Sequence, residues 1–221
     1  MKGVLFELDG VFYVEQQLIA GGIDCLQWLN EQQIPYRFVT NNTTMCRKDL
    51  TAKLRRLGLE VDEQEIISAN YAGVLLLEQR GIKRCRLLLR PEAQQDYPTN
   101  CLQNPDAIVI GDIGNRWDYD LLNELMNQVL EGAEIIALHK GRYHQGASGL
   151  LLDSGAFVAA LEHATGKQAI VVGKPNPTFF ELASNTFGCT PDELLMFGDD
   201  LINDIGGAMQ MGMHAVLVQT G

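Results

Sequence analysis

Apolar residues in this chain fall in short blocks, and stretches of helical periodicity separate them. Val4-Leu5-Phe6 heads a buried strand over 3–8, and Gly21-Gly22 opens an amphipathic helix running to about residue 33. Pro35 introduces a second strand at 36–39, which ends at Thr40-Asn41-Asn42-Thr43. Helices are predicted over 47–57, stopped by Gly58, and over 69–80, stopped by Gly81. The middle is less regular. Strands are predicted at 84–90, 106–111 and 134–138, with helices at 119–130 and 153–165. A polar, helix-poor stretch runs through Pro105, and a polar loop covers 139–149. The first pattern then returns: strand 169–172, helix 177–187, strand 194–197, helix 204–211 and strand 215–218. Short strands interleaved with helices predict an α/β fold with a parallel sheet. Residues 1–80 and 171–221 read as one unit, and 81–170 as a second α/β unit inserted into it.

The 221 residues suffice for such an arrangement and for a core that needs no covalent staple. Lys and Arg total 17 against 28 Asp and Glu, a formal charge of −11. That is the wrong sign for a nucleic-acid partner, which requires a basic footprint. It leaves room for a small phosphorylated substrate held by one lysine and a metal ion. Cys25, Cys46, Cys85, Cys101 and Cys189 are odd in number and lack C-x-x-C spacing, which points to reduced thiols rather than a disulfide framework or structural zinc. No apolar run reaches the roughly 18 residues of a membrane span. Glu7 comes too early for a signal peptide's apolar region, so a cytoplasmic protein is expected.

Four segments carry candidate chemistry. In Val4-Leu-Phe-Glu-Leu-Asp-Gly10 an apolar strand delivers Glu7 and Asp9 to one tip, since residues i and i+2 share a face. Beyond the strand end Asp9 is expected to swing freely. Two acids there suit a nucleophile or metal ligand beside a general acid/base, or a solvated strand end. Thr40, Asn41 and Asn42 follow a strand and can donate hydrogen bonds to an anion, or form a Thr/Asn turn. Lys174, in Gly173-Lys-Pro-Asn-Pro177, can neutralise a phosphoryl oxygen, or sit as an exposed loop lysine. Asp199, Asp200 and Asp204 crowd a helix start after Gly198. Capping accounts for one acid, whereas three invite a hard divalent cation.

Acid-x-Asp-Gly, Thr-Asn, Gly-Lys-Pro-x-Pro and Gly-Asp-x-x-x-x-Asp stand in this order, each at a predicted strand end. The set resembles the haloacid-dehalogenase superfamily of phosphohydrolases. The large insertion is similar to the second cap type, that of subfamily IIA. Leu138-His-Lys-Gly-Arg-Tyr143 and the 149–161 segment narrow the likeness to the branch holding phospholysine phosphohistidine inorganic pyrophosphate phosphatase. The resemblance implies a Rossmann-like parallel-sheet core (1–80 and 171–221) with an inserted α/β cap (81–170). It also implies a Mg²⁺-dependent phosphatase of small phosphorylated compounds. Glu7 stands at the nucleophile position, and Asp9 at that of the general acid/base. Mg²⁺ is expected between Glu7, the Asp9 carbonyl and Asp199, with Asp204 and Asp200 in support. Thr40, Asn41, Asn42 and Lys174 are expected on the phosphoryl oxygens, and dimerisation is expected through the cap.

Two departures qualify this. The family has Asp where this chain has Glu7, one methylene longer. A shift of about 1 Å at a reacting atom can cost about 100-fold in rate. A catalytically silenced relative that binds Mg²⁺ and a phosphate ligand, or a protein partner, is therefore the alternative. Family members also continue past 215–218, so an open sheet edge is expected there. A carbon-halogen hydrolase needs no acid cluster at 199–204, and no G-x-G-x-x-G follows a strand as a nucleotide-dependent oxidoreductase would require. His139, Lys140, Arg142, Tyr143 and His144 share one loop and suit either recognition of a leaving group or solvation. Asp153 reads as a helix N-cap, His163 and His214 as surface residues, and Met209, Met211 and Met213 as packing.

Overall fold

A run of five buried residues forms strand β1 (Gly3–Glu7), at the centre of a parallel sheet. A strand covered on both faces carries apolar side chains in succession rather than in alternation. The computed structural model describes every residue except Thr99, Ala147 and Ser148. Those positions of the expected polar stretch and polar loop lie outside the described residues. After β1 come a hairpin, β2 (Tyr13–Val14) and β3 (Gln17–Leu18), then helix α1 (Gly22–Glu31), β4 (Tyr36–Thr40) and α2 (Arg47–Arg56). Next are β5 (Ile66–Ser68), α3 (Ala69–Gln79), β6 (Cys85–Leu88), β7 (Ala107–Ile110), α4 (Tyr119–Leu130) and β8 (Glu134–Ala137). Strands β9 (Tyr143–Gly146) and β10 (Gly149–Leu152) precede α5 (Ser154–Thr165) and β11 (Ile170–Val171). The chain closes with α6 (Pro177–Asn185), β12 (Leu194–Gly198), α7 (Gly207–Gln210) and β13 (His214–Leu217).

The chain divides into two units, Met1–Asn41 with Arg47–Ala69 and Lys174–Gly221, and Asn42–Cys46 with Asn70–Gly173. In the first, five parallel strands run in the order β13-β12-β1-β4-β5. Phe6 anchors its core, edge-on to Phe12 at 5.3 Å and stacked on Phe197 at 5.1 Å, while Phe12 meets Phe38 at 5.2 Å. β13 lies at the edge, with Val216 and Leu217 exposed.

In the second unit four parallel strands run β11-β8-β7-β6. Ile108, Ile110, Ile135 and Ala137 pack with Leu125 and Val129 of α4 and Val158 and Leu161 of α5. The division falls at 69/70, not at the expected 80/81. Helix α3 belongs with the second unit because its buried Asn70 donates from Nδ2 to the Ala93 carbonyl (2.9 Å) and to Asp96 Oδ2 (3.0 Å). Tyr97 returns a bond to the Asn70 carbonyl at 2.8 Å, and Gly73 lies against Tyr97 and Leu138 so closely that a Cβ would collide with both. Strand-period patterning sees none of these polar bonds.

Other elements depart from expectation. The 139–149 loop instead supplies β9, which pairs antiparallel with β10. The helix expected at 204–211 starts earlier, as a π-helical turn over Leu201–Gly206 continuing into α7. Met213 is buried, but Met209 is exposed rather than packed. Among the described residues no helix is long and apolar enough to cross a membrane, and no disulfide links the cysteines.

Candidate active site

Three strands of the first sheet bring chemistry to their carboxyl ends. β1 ends in Glu7, which is buried, and two residues on stands Asp9, which is exposed. Gly10 then turns the chain at φ +75°, and a Cβ there would collide with the Asp199 carboxylate. Both the left-handed backbone and the close approach require glycine. β4 ends in buried Thr40, followed by Asn41. β12 ends in Gly198, against which Asp204 packs so tightly that a Cβ would not fit.

Lys174 joins these ends. It is only 5% exposed, and its Nζ donates to Asp204 Oδ1 at 2.6 Å and lies in direct ionic contact with Glu7 Oε2. Its backbone is clamped by Asn41, whose Nδ2 donates to the Lys174 carbonyl (2.9 Å) and whose Oδ1 accepts from the Lys174 N–H (2.8 Å). Burial draws the Lys174 ammonium below the ordinary lysine range, and Asp204, Asp199 and Asp200 oppose that shift.

The acids have distinct tasks. Asp200 is the cap of the π-helical turn, with Oδ1 accepting from the N–H groups of Ile202 and Asn203, both at 2.8 Å. Burial would raise its carboxyl, but those bonds and the Asn203 side chain hold it below its usual value. The turn is π-type because the Ile205 N–H reaches back five residues to the Asp200 carbonyl at 3.2 Å. This also carries Asp204 inward to Lys174. Asp199 is the contrasting case. Burial, with the like charges of Asp204 and Asp200, raises its carboxyl above the ordinary range despite Lys174. Among the described residues no three His, Cys, Asp or Glu side chains converge at metal-binding distance. The donor chemistry nevertheless suits a hard cation, because Asp199 is a carboxylate whose repulsion by its neighbours a divalent ion would relieve. Glu7 and Asp204 face Lys174 instead.

The expected freedom of Asp9 is not found. Tyr13 Oη donates to Asp9 Oδ2 at 3.1 Å, and Lys53 Nζ donates to Tyr13 Oη at 3.3 Å. Burial first, then the Asp9 charge and hydrogen bond, hold the Tyr13 phenol well above its usual range. Sequence reading missed both residues. Tyr13 lies four positions past Asp9, across the glycine turn, whereas nothing in the sequence near Asp9 points to Lys53. Asn42 belongs to the second unit, where its Oδ1 accepts from the Thr44 and Met45 N–H groups at 3.1 and 3.0 Å. In that unit His139 meets Ser154 Oγ at 3.0 Å and Lys140 pairs with Glu162 at 2.5 Å, while Arg142, Tyr143 and His144 are exposed. Asp153 caps α5 through the Ser154 N–H at 2.7 Å, and His163 and His214 are exposed.

Comparison with known proteins agrees with this architecture. The haloacid dehalogenase-like hydrolase family matches residues 4–98, and a related HAD-hydrolase-like family matches 171–221. Over its whole length the chain is 40% identical to haloacid dehalogenase-like hydrolase domain-containing protein 2 of Rattus norvegicus, covering 85% of that protein. It is 38% identical to phospholysine phosphohistidine inorganic pyrophosphate phosphatase of Bos taurus, covering all of this chain and 84% of that one. Among solved structures, 4-nitrophenylphosphatase from Thermotoga maritima superimposes with a TM-score of 0.87 at 27% identity, over 100% of this chain and 87% of that one. The p-nitrophenyl phosphatase from Archaeoglobus fulgidus gives 0.88 at 26% identity, with the same coverage. With a parallel sheet, acids at the strand ends and a buried lysine among them, the chain belongs to the haloacid dehalogenase-like hydrolases, and within them to the phosphohydrolases of subfamily IIA.

Proposed function

We propose that this protein is a Mg²⁺-dependent phosphatase of small phosphorylated compounds. The observation that carries the reading is the buried Lys174 ammonium set between Glu7 and Asp204, with Asp9 exposed two residues past the strand end. A Glu7 oxygen attacks phosphorus and forms an acyl phosphate as the bond to the leaving oxygen breaks. Asp9 delivers a proton to that oxygen, then takes one from the water that hydrolyses the intermediate. Lys174, Thr40 and the backbone amide at Asn41 hold the phosphoryl oxygens, so the protein's part is positioning and charge stabilisation. Asp199 and the Asp9 carbonyl would hold Mg²⁺, with Asp204 in support and Glu7 joining as it leaves Lys174. The ion would supply charge neutralisation at the phosphoryl group. Pyrophosphate and phosphoamino acids fit the names of the relatives. The second unit acts as the cap in this reading, in a cytoplasmic protein. Its exposed Tyr143, Leu150, Leu151 and Leu152 support a homodimer formed through it.

One observation favours a second reading. Glu7 reaches Lys174 directly, so the side chain at the nucleophile position is already paired inside the protein. A silenced relative, binding Mg²⁺ and a phosphate ligand or a protein partner, would look like this. Steady-state hydrolysis of 4-nitrophenyl phosphate and of pyrophosphate, with and without Mg²⁺, separates the two. Turnover by the native chain with Mg²⁺ is the expected outcome. Activity confined to the Glu7→Asp variant establishes the silenced relative, and inactivity of both chains rejects the phosphatase reading.

A further inference from the structure

We propose that Tyr13 and Lys53 form a positioning relay that aims the Asp9 carboxylate at the leaving-group oxygen. The inference rests on the phosphatase reading, since it deepens the role given there to Asp9. Asp9 lies beyond β1, where the strand ladder no longer fixes it, and it is exposed. A general acid in that position needs an external constraint, because proton transfer requires the correct oxygen within hydrogen-bond reach of the leaving atom.

The hairpin that follows supplies the constraint. Asp9 and Tyr13 form an isolated β-bridge, and the Gly10 N–H donates to the Tyr13 carbonyl at 2.8 Å, so the turn is closed on its own backbone. Tyr13 is 2% exposed and immobilised by packing, yet its hydroxyl emerges 3.1 Å from Asp9 Oδ2. A phenol facing a carboxylate donates, which leaves its oxygen lone pairs for another donor. Lys53 of α2 fills that place at 3.3 Å, its ammonium also 4.7 Å from the Tyr13 ring centre. The lysine polarises the phenol O–H toward Asp9, and charge-assisted bonds of this kind are the stronger ones. With Oδ2 occupied by Tyr13, Oδ1 is the oxygen left to carry the catalytic proton. Tyr13 and Lys53 thus act through Asp9 without touching the reacting atoms.

Leaving groups distinguish positioning from mere structural support. 4-Nitrophenolate departs with little protonation, whereas the alkoxide of glycerol 2-phosphate requires it. The value of kcat/KM reports the steps through phosphoryl transfer. Tyr13→Phe should lower kcat/KM for glycerol 2-phosphate by about tenfold or more, within the range typical of general acid catalysis. It should lower that for 4-nitrophenyl phosphate by less than about threefold, with KM unchanged. Lys53→Met should do the same more weakly. The pair is measured in the native chain and again in the Glu7→Asp chain. Equal losses on both substrates, or none on either, overturn the inference. A turnover-independent cycle reads the contact itself. Tyr13→Phe should lower the urea unfolding midpoint in the native chain and lower it by less in an Asp9→Ala chain, where only the Lys53 bond remains to be lost. Equal shifts in the two backgrounds overturn the relay. If the cycle shows coupling but neither parent chain hydrolyses any substrate, the phosphatase reading falls, and the catalytic role of the relay falls with it.

Discussion

The two units repeat one architecture with opposite treatment of charge. Each has a parallel sheet whose strands run from apolar interiors into polar loops. In the second unit the polar groups past the strand ends answer one another: Arg90 pairs with Asp112 at 2.5 Å, Lys140 with Glu162 at 2.5 Å, and His139 with Ser154 at 3.0 Å. Buried Arg86 on β6 likewise meets Glu124 at 2.6 Å. In the first unit, one ammonium, Lys174, stands among Glu7, Asp199, Asp200 and Asp204. The carboxylates there outnumber the cation, and the raised Asp199 carboxyl registers the imbalance. A balanced set stabilises a fold. An unbalanced set held by rigid strands can bind a cation or stabilise charge that forms during a reaction.

The contrast can be broken most severely at Lys174. Lys174→Met leaves Glu7 and Asp204 buried without their counter-ion, which should cost about 3–5 kcal/mol of stability by urea unfolding. A loss under about 1 kcal/mol would mean that the acids do not depend on this lysine. Next in size is Glu7→Asp. It should raise the rate of 4-nitrophenyl phosphate hydrolysis by up to about 100-fold, because it withdraws the carboxylate from Lys174 and restores the shorter reach. A variant slower than the native chain would show that the active site is built around the longer side chain. Asp199→Asn should weaken Mg²⁺ binding at least about tenfold by calorimetry, as loss of even an outer-shell partner does. Unchanged affinity would remove Asp199 from the metal site.

Predicted effects in the second unit are smaller, since its charges are paired and its caps are local. Asp153→Ala should cost about 1 kcal/mol, the value of an N-cap, with no change in Mg²⁺ affinity. For Glu162, burial alone would raise the carboxyl, yet Lys140 and the Ala169 N–H pull it below its ordinary value. A carboxyl depressed in the folded state contributes stability above its unfolded value, and that contribution disappears as pH falls through the folded one. Glu162→Gln should therefore flatten the acid side of the stability profile through the ordinary glutamate range and below it, leaving neutral pH as the region of greatest difference from the native chain. Parallel curves for variant and native protein across that range would remove Glu162 from the acid response.

Most secondary elements were legible because burial on both faces of a parallel sheet writes apolar blocks, and helices write their caps. Tyr119–Leu130 was predicted over its full span, and the structure adds its N-cap, Asp118, whose side chain accepts from the Leu121 N–H. The antiparallel pairing of β9 with β10 escaped notice because the residues of the two strands are largely exposed and carry no buried face to reveal the period. The π-helical turn escaped because the five-residue reach of its backbone bonding, as from the Ile205 N–H to the Asp200 carbonyl, is not encoded in composition.

The sequence by itself determined the fold class and set acids and a lysine beside strand ends, because strand-end motifs are local and their spacing survives in one dimension. Only the tertiary structure decided how those groups are used. Asn41 grips the backbone of Lys174 from 133 positions away, Glu7 is turned onto the same lysine, and Lys53 reaches Asp9 through Tyr13. Side-chain bonds across such separations depend on where the packed strands and helices place their ends, and no local pattern carries that information.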